Sequence, residues 1–190
     1  MRKLIYGINI SLDGCCDHTK FSGGDDIHDY FLALMKNTDT VIYGRKTYEL
    51  MVPFWPEVAR TQSMDSATNA FATVFASLKR VVVSRTLTDT DDPQETIIRD
   101  NLKEGILRLK QQPGKDISTG GVELPAELIK LGLVDEFHIV VHPVIVGEGR
   151  RLFTEMFLPE NVGLKLTSSE TLSSGCIALR YSSGNMNDDI

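Results

Sequence analysis

A chain of 190 residues fits one large domain with a self-supporting core. Hydrophobic residues at 42% and charged residues at 24% are ordinary globular usage, which argues against a disordered or fibrous chain. The formal charge of -6, with no Lys/Arg run to offset it, repels a polyphosphate backbone and excludes a nucleic-acid partner.

The segment Lys3 to Ile10 is too short to span a bilayer and lacks a signal-peptide pattern, so the expected location is cytoplasmic with no membrane partner. Cys15, Cys16 and Cys176 cannot make a conventional disulfide framework and fit a reducing compartment.

Lys3 to Ile10 reads as a mostly apolar strand ended by Ser11-Leu12-Asp13-Gly14. From Asp25 or Asp26, Ile27, Phe31, Leu34 and Met35 recur at helical spacing up to Asn37-Thr38. Thr40 to Tyr43 is a buried-type strand running into Gly44-Arg45-Lys46-Thr47, with helix expected from Thr47 to Met51. Pro53 and Pro56 are expected to stop that helix and leave Phe54-Trp55 in an ordered loop.

Ser66 to Leu78 is a helix and Arg80 to Ser84 a β-branched strand with Arg85 at its exit. Thr96 to Ile98 is a weak strand, Leu102 to Lys110 a helix, and Pro113-Gly114 a break. Asp116-Ile117-Ser118 leads through Thr119-Gly120-Gly121 into a helix on Leu124, Leu128, Ile129 and Leu131, ending at Gly132. Phe137 to Val146 reads as a strand interrupted by Pro143, and 164–171 with 176–181 as an antiparallel hairpin across Ser173-Ser174-Gly175.

This alternation predicts an α/β domain over 1–183 with a largely parallel sheet covered on both faces, an antiparallel addition at one edge, and a disordered tail over 184–190.

A strand that ends in Gly and turns into a helix aims free N–H groups and a positive dipole end at whatever anion lies there. Gly44 to Thr47 and Thr119 to Gly121 are two such turns, and Ser84-Arg85 stands at a third strand exit. Arg45, Lys46, Arg80 and Arg85 are candidates for a common cationic patch. Neither a Gly-x-Gly-x-x-Gly fingerprint nor a P-loop occurs, so an ordinary Rossmann site is disfavoured.

Ser-Leu-Asp-Gly, Val-Ile-Tyr-Gly-Arg-Lys-Thr-Tyr-Glu, Val-Val-Val-Ser-Arg-Thr-Leu and Ile-Ser-Thr-Gly-Gly-Val-Glu-Leu, in that order, resemble the dihydrofolate reductase superfamily. Gly132 to Glu136 followed by Pro143 to Phe153 is similar to the branch related to the riboflavin-pathway reductase domain. The resemblance implies a dihydrofolate reductase-like three-layer fold, NADPH as hydride donor and a small pterin- or pyrimidine-like substrate. It implies that Gly44, Arg45, Lys46 and Thr47 hold cofactor phosphates and that Ser84 and Arg85 meet the adenosine end, where a cation favours the 2′-phosphate. It likewise implies that Thr119, Gly120, Gly121, Val122 and Glu123 form the pyrophosphate turn, and that Ser11, Asp13 and Gly14 belong to the loop over the nicotinamide. Homodimerisation, common in this branch, would involve Pro143 to Phe153.

Relatives of the dihydrofolate reductase type carry a carboxylate on the first helix. Tyr30 stands at that place here, with Asp29 beside it and Asp26 about a turn earlier, so Asp29 and Asp26 are the candidate catalytic acids. Riboflavin-pathway reductases have basic residues where this chain has Gly7 and Cys15. Asn9, an amide inside an apolar strand, and Trp55 are candidate substrate contacts together with Tyr30. Cys15, Cys16 and His18 lack zinc-knuckle spacing, and His138 and His142 lie in a strand, so no metal site is expected. Three readings stay open: an NADPH-dependent reductase, a non-catalytic NADPH-binding or ligand-sensing module of the same fold, and an actual riboflavin-pathway reductase.

Overall fold

The chain is described here by a computed structural model covering residues 1–190 except His18, Ser22, Gly23, Asp89, Asp91, Glu155, Pro159 and 185–190. The expected tail therefore lies, apart from Gly184, outside the described residues. The apolar runs form strands β1 (Leu4–Ser11), β2 (Thr38–Gly44), β3 (Lys79–Val83), β4 (Glu95–Ile98), β5 (Asp116–Thr119) and β6 (Glu136–His142). The segments of helical spacing form α1 (Asp25–Lys36), α2 (Arg45–Thr61), α3 (Ser66–Ser77), α4 (Leu102–Gln111) and α5 (Glu123–Lys130), and the hairpin is β7 (Leu164–Thr171) with β8 (Ile177–Ser183).

Among the described residues the strands make one sheet in the order β4-β3-β2-β5-β1-β6-β8-β7. The pairings from β4 across to β6 are parallel, and β8 adds antiparallel to β6 with β7 outside it, as the alternation of elements predicts. Residue alternation sends side chains of each strand to opposite faces. On one face α4 and α5 bring Ile106, Leu124, Leu128 and Ile129 onto Leu4, Tyr6, Ile42, Ile117 and Phe137. On the other, Leu32 and Met35 of α1 and Phe71 and Phe75 of α3 cover Val41 and Tyr43, while Ile27 of α1 meets Val140 and Ala178. Each fully buried side chain of this kind contributes about 1.5–3 kcal/mol.

Two sequence expectations are corrected. The helix starting after Gly44 does not stop at Pro53; it runs through Pro53 and Pro56 to Thr61. An interior proline costs roughly 3 kcal/mol, chiefly by removing a hydrogen bond and crowding the carbonyl four residues back. Here one such carbonyl belongs to exposed Glu49, where water can bond it. Tyr48, Met51, Val52 and Trp55 pack on the core of α1, α3 and β2, and Val58 is buried, so the apolar face offsets the rest. Trp55 is thus a helix residue packed on Phe71, with ring centroids 4.6 Å apart, rather than a loop anchor. The strand expected over Phe137 to Val146 ends at His142, because Pro143 cannot donate to a ladder.

Arg80 is also corrected, since it does not join a cationic patch. It is the second residue of β3, at the opposite end from the strand's exit, and its guanidinium is buried against Glu95 at 3.1 Å and Asp92 at 2.6 Å. Tyr48 Oη and Thr90 Oγ1 donate to the same Glu95 carboxylate, at 2.8 and 2.6 Å. Removing one partner of a buried pair leaves the other charge desolvated and uncompensated. Arg80→Ala is therefore expected to lower the unfolding free energy by about 3–5 kcal/mol in denaturant titration; a loss below about 1 kcal/mol, the range of a surface pair, would contradict this.

Candidate active site

The centre of the sheet opens. β1 pairs with β5 only over Leu4–Tyr6, whereas its pairing with β6 continues to Ser11. The helix after β1 covers one face and the helix after β5 covers the other. Such a parting, at the carboxyl ends of parallel strands whose helices leave on opposite faces, is where open α/β sheets form a ligand crevice.

Beside it lies a cleft of about 680 Å³ along the exits of β2, β3, β4 and β5, within the range of small-molecule sites. Gly44, Arg45, Lys46, Thr47, Ser84, Arg85, Val122 and Glu123 line it, so three separate stretches of sequence meet there, while Thr119, Gly120 and Gly121 do not line it. Arg45 and Lys46 open α2, whose first turn holds no acid and whose N-cap Gly44 supplies no side chain. The first amides of α2 therefore keep both their free N–H groups and the positive dipole end.

The cations are held rather than free-swinging. Arg45 bonds Glu49 at 2.6 Å and Thr86 at 2.9 Å, and Lys46 and Arg150 both reach Glu123 Oε1 at 3.0 Å. The Ser84 hydroxyl accepts from the amides of Thr86 and Leu87 and fixes the turn that presents exposed Arg85. Sequence reasoning missed Arg99, Asn101, Glu127 and Arg150, which also line the cleft. The first two follow β4 and precede α4, the same strand-to-helix pattern as the turns recognised elsewhere, hidden by a short strand of weak propensity. Arg150 has no local signal, because a distant loop delivers it.

Thr119, Gly120 and Gly121 support the cleft from behind. Thr119 Oγ1 donates to Ile42 O at 2.8 Å, and Tyr6 Oη, on a phenol whose pKa burial pushes upward, donates to Gly121 O at 2.8 Å. Gly121 has φ +87°, and a β-carbon there would overlap the Thr47 hydroxyl oxygen. Glycine is thus required for both backbone angle and close approach of the two turns.

Ser11, Asp13 and Gly14 do not line the cleft; they form a clamp at the β1 exit. Asp13 accepts from Ser11 Oγ at 2.6 Å and from the amides of Val146 and Gly147 at 3.1 and 2.9 Å, which hold its carboxyl well below the usual range. Arg151 pairs with the same carboxylate. The 143–153 segment is thereby tied inward, with Arg150 placed over the α5 N-terminus. Cys15 is buried beside this clamp, while His18 lies outside the described residues.

The remaining candidates sit on the α1 face. Asn9 is half-buried in β1, and its Oδ1 is buried without a hydrogen-bond partner among the described residues. Tyr30 commits its hydroxyl to His138 Nδ1 at 2.7 Å, and His138 Nε2 meets Glu136 Oε1 at 2.7 Å. Burial pushes the Glu136 carboxyl up, but bonds from Arg180, His138 and Lys3 outweigh it and hold it at about 2. Burial lowers the His138 pKa against the pull of Glu136. Asp26 accepts from Ser173 Oγ and Ser174 N, fastening α1 to the β7–β8 turn, and Asp29 is exposed. Among the described residues no group of three or more His, Cys, Asp or Glu is placed to hold a metal, and no helix is long and apolar enough to cross a membrane.

Residues 2–178 match the RibD C-terminal domain family. The chain belongs to that family. The protein YyaP of Bacillus subtilis is 34% identical over 184 residues, 95% of this chain and 94% of YyaP. A Shewanella sp. PV-4 protein named for riboflavin biosynthesis shares the fold at a TM-score of 0.73 and 22% identity, over 96% of this chain and 99% of that one. Dihydrofolate reductase from Enterococcus faecalis, solved with NADP(H), does so at 0.62 and 14%, over 96% and 97%. The RibD-type domain thus has the dihydrofolate reductase-like three-layer fold.

Two outcomes follow from this geometry. Gly121→Ala forces an unfavourable φ and a clash, and should cost about 1–3 kcal/mol in thermal unfolding. Adding Thr47→Ala should recover part of the loss by removing the clash, and no recovery would show that Thr47 is not the obstacle. Glu136 and His138 titrate lower folded than free, so their stabilisation is complete above about pH 6.5. It is lost as pH falls, through His138 first and then through Glu136 from 4.5 toward about 2. Melting curves of the wild type and Glu136→Gln should converge as pH drops from 4.5 to about 2; a constant gap would contradict the ionised Glu136.

Proposed function

We propose that this RibD-type domain is an NADPH-dependent reductase acting on a small planar heterocycle. The observation that carries the reading is the cleft along four parallel strand exits, with the N-termini of α2, α4 and α5 and the cations Arg45, Lys46, Arg85, Arg99 and Arg150 on its wall. Helix N-termini and guanidinium groups together suit an extended ligand with several phosphates. The family, and a fold shared with a reductase solved with NADP(H), support the same choice.

When bound, NADPH supplies the hydride, and the protein supplies position and field. Gly44 to Thr47 would hold one phosphate group and Val122-Glu123 the pyrophosphate, with Gly121 letting the two turns close together. Ser84 and Arg85 would take the 2′-phosphate. The open β1 edge from Gly7 to Ser11 would receive the nicotinamide end. Asn9, on the α1 side of that edge, is assigned to the substrate half.

A second reading, cofactor binding without turnover, draws on Tyr30 and Asp29. The hydroxyl of Tyr30 is engaged by His138, and Asp29 faces solvent, so neither supplies a ready acid. NADPH oxidation against pterins, pyrimidines, flavins and quinones separates the two readings, because turnover with a physiological substrate excludes the second.

Calorimetric titration tests the cofactor. NADPH should bind more tightly than NADH, and Arg85→Ala should weaken NADPH by about ten-fold or more while leaving NADH nearly unchanged, as expected for loss of one charge-assisted contact. Equal weakening of both nucleotides would remove Arg85 from the 2′-phosphate, and no heat with NADPH at all would overturn the cofactor reading.

A further inference from the structure

One carboxylate gathers two of the cleft's cations. Glu123 is the first residue of α5, and its Oε1 accepts from Lys46 Nζ and from Arg150 Nη2, each at 3.0 Å. Lys46 comes from the first turn of α2 and Arg150 from the segment after β6, so a single oxygen joins three parts of the chain. These bonds hold the Glu123 carboxyl below the usual range, and the side chain is ionised at neutral pH.

The contact has the composition of a phosphate site. Val122 caps α5 without a side-chain bond and Pro125 has no amide hydrogen, so the first amides of α5 stay open to an outside acceptor. Two cations converging on one oxygen beside open helix amides are what a phosphate oxygen takes. Here the anion is part of the chain. A ligand phosphate and the Glu123 carboxylate therefore compete for the same donors, and their like charges repel at such close range.

The pair is also able to part. The side chains of Glu123, Lys46 and Arg150 are 60%, 78% and 48% exposed, so water hydrates each group and the bonds are individually weak. Their backbones are fixed, since Lys46 lies in α2 and the Arg150 carbonyl accepts from Cys16 N at 2.8 Å. Side-chain rotation is enough for release. Glu123 and Arg150 also border a second hollow of about 210 Å³ between α5 and Phe153, Thr154 and Met156, which gives the carboxylate room to leave without crossing the cleft.

We propose that Glu123 is an internal stand-in for a ligand phosphate, holding Lys46 and Arg150 together over the start of α5 while the cleft is empty and handing both to the diphosphate of the nucleotide on binding. The proposal rests on the reductase reading and adds a selecting group to its phosphate site. Glu123 positions the two cations in the empty protein and opposes any ligand that cannot replace it.

The test is calorimetric titration of the full chain with NADPH and, separately, with inorganic pyrophosphate. Glu123→Gln, which keeps the side-chain length and loses the charge, should tighten both probes by about three- to ten-fold, the scale of two exposed ion pairs. Losing an acid from the first turn of α5 does not stabilise the fold, so tighter binding cannot come from a more stable protein. Glu127→Gln is the comparison: Glu127 lines the same cleft but bonds Lys130 at 2.8 Å, and its loss should change either affinity by less than about two-fold. In a Lys46→Met background the gain from Glu123→Gln should shrink to about two- to three-fold, because one of the two shared cations is gone.

Weaker binding of either probe by Glu123→Gln would show that the carboxylate helps to hold the ligand, and would overturn the proposal. Equal gains in Glu123→Gln and Glu127→Gln, the mark of a general field effect, would overturn it too, as would an undiminished gain without Lys46. The two readings fail separately. No heat with NADPH while Glu123→Gln still tightens pyrophosphate sinks the reductase reading and leaves the handover, whereas NADPH binding that Glu123→Gln does not tighten sinks the handover alone. Silence from both probes in wild type and in Glu123→Gln overturns both.

Discussion

Three residue pairs, Leu4 with Ile117, Ile5 with Ser118 and Tyr6 with Thr119, join β1 to β5 in the middle of the sheet. Leu4, Tyr6 and Ile117 are completely buried, so this seam is held by core packing as well as by strand pairing. Its shortness matters as much as its strength. Past Tyr6 the two strands separate while β1 stays paired to β6, and the crevice follows from that separation. Tyr6 then couples seam to site, because its hydroxyl bonds the carbonyl of Gly121 at the turn into α5.

The chain as a whole is acidic, yet the cleft wall carries five cations against Asp100, Glu123 and Glu127. A local field of opposite sign to the net charge is possible because screening limits exposed charges to about 8–10 Å, so the distant acids hardly reach it. Parallel pairing brings the exits of β2, β3, β4 and β5 to one rim, and the helix N-termini add their dipole ends to the side-chain charge. Glu123 shares one oxygen between Lys46 and Arg150 and keeps those cations gathered over the start of α5.

Polar groups on the α1 face divide into two kinds. Tyr30, His138, Glu136, Arg180 and Lys3 form a closed chain of bonds that fastens α1 to β6 and β8. Asn9 and His142, one or two strand positions further toward the rim, are left open. Satisfied networks rigidify a fold, while unsatisfied atoms at a strand exit lower stability and keep a binding direction available.

The sequence by itself determined the elements and much of the cleft wall. Hydrophobic period distinguishes strand from helix, and Gly44, Ser84 and Gly120-Gly121 mark strand exits by local chemistry that needs no knowledge of neighbours. It misjudged α2, because the weight of Tyr48, Met51 and Trp55 against the two prolines depends on α1 and α3 packing there. It grouped Arg80 with Arg45 and Arg85, because spacing along the chain does not say that Arg80 lies at the entry end of its strand and meets Glu95. Only the tertiary structure decided that β1 leaves β5 after Tyr6, that Arg150 arrives from a distant loop, and that Asn9 and His142, 133 positions apart, share a face. Those facts are set by strand order and register, which are long-range pairings, and a local pattern of residues carries no record of them.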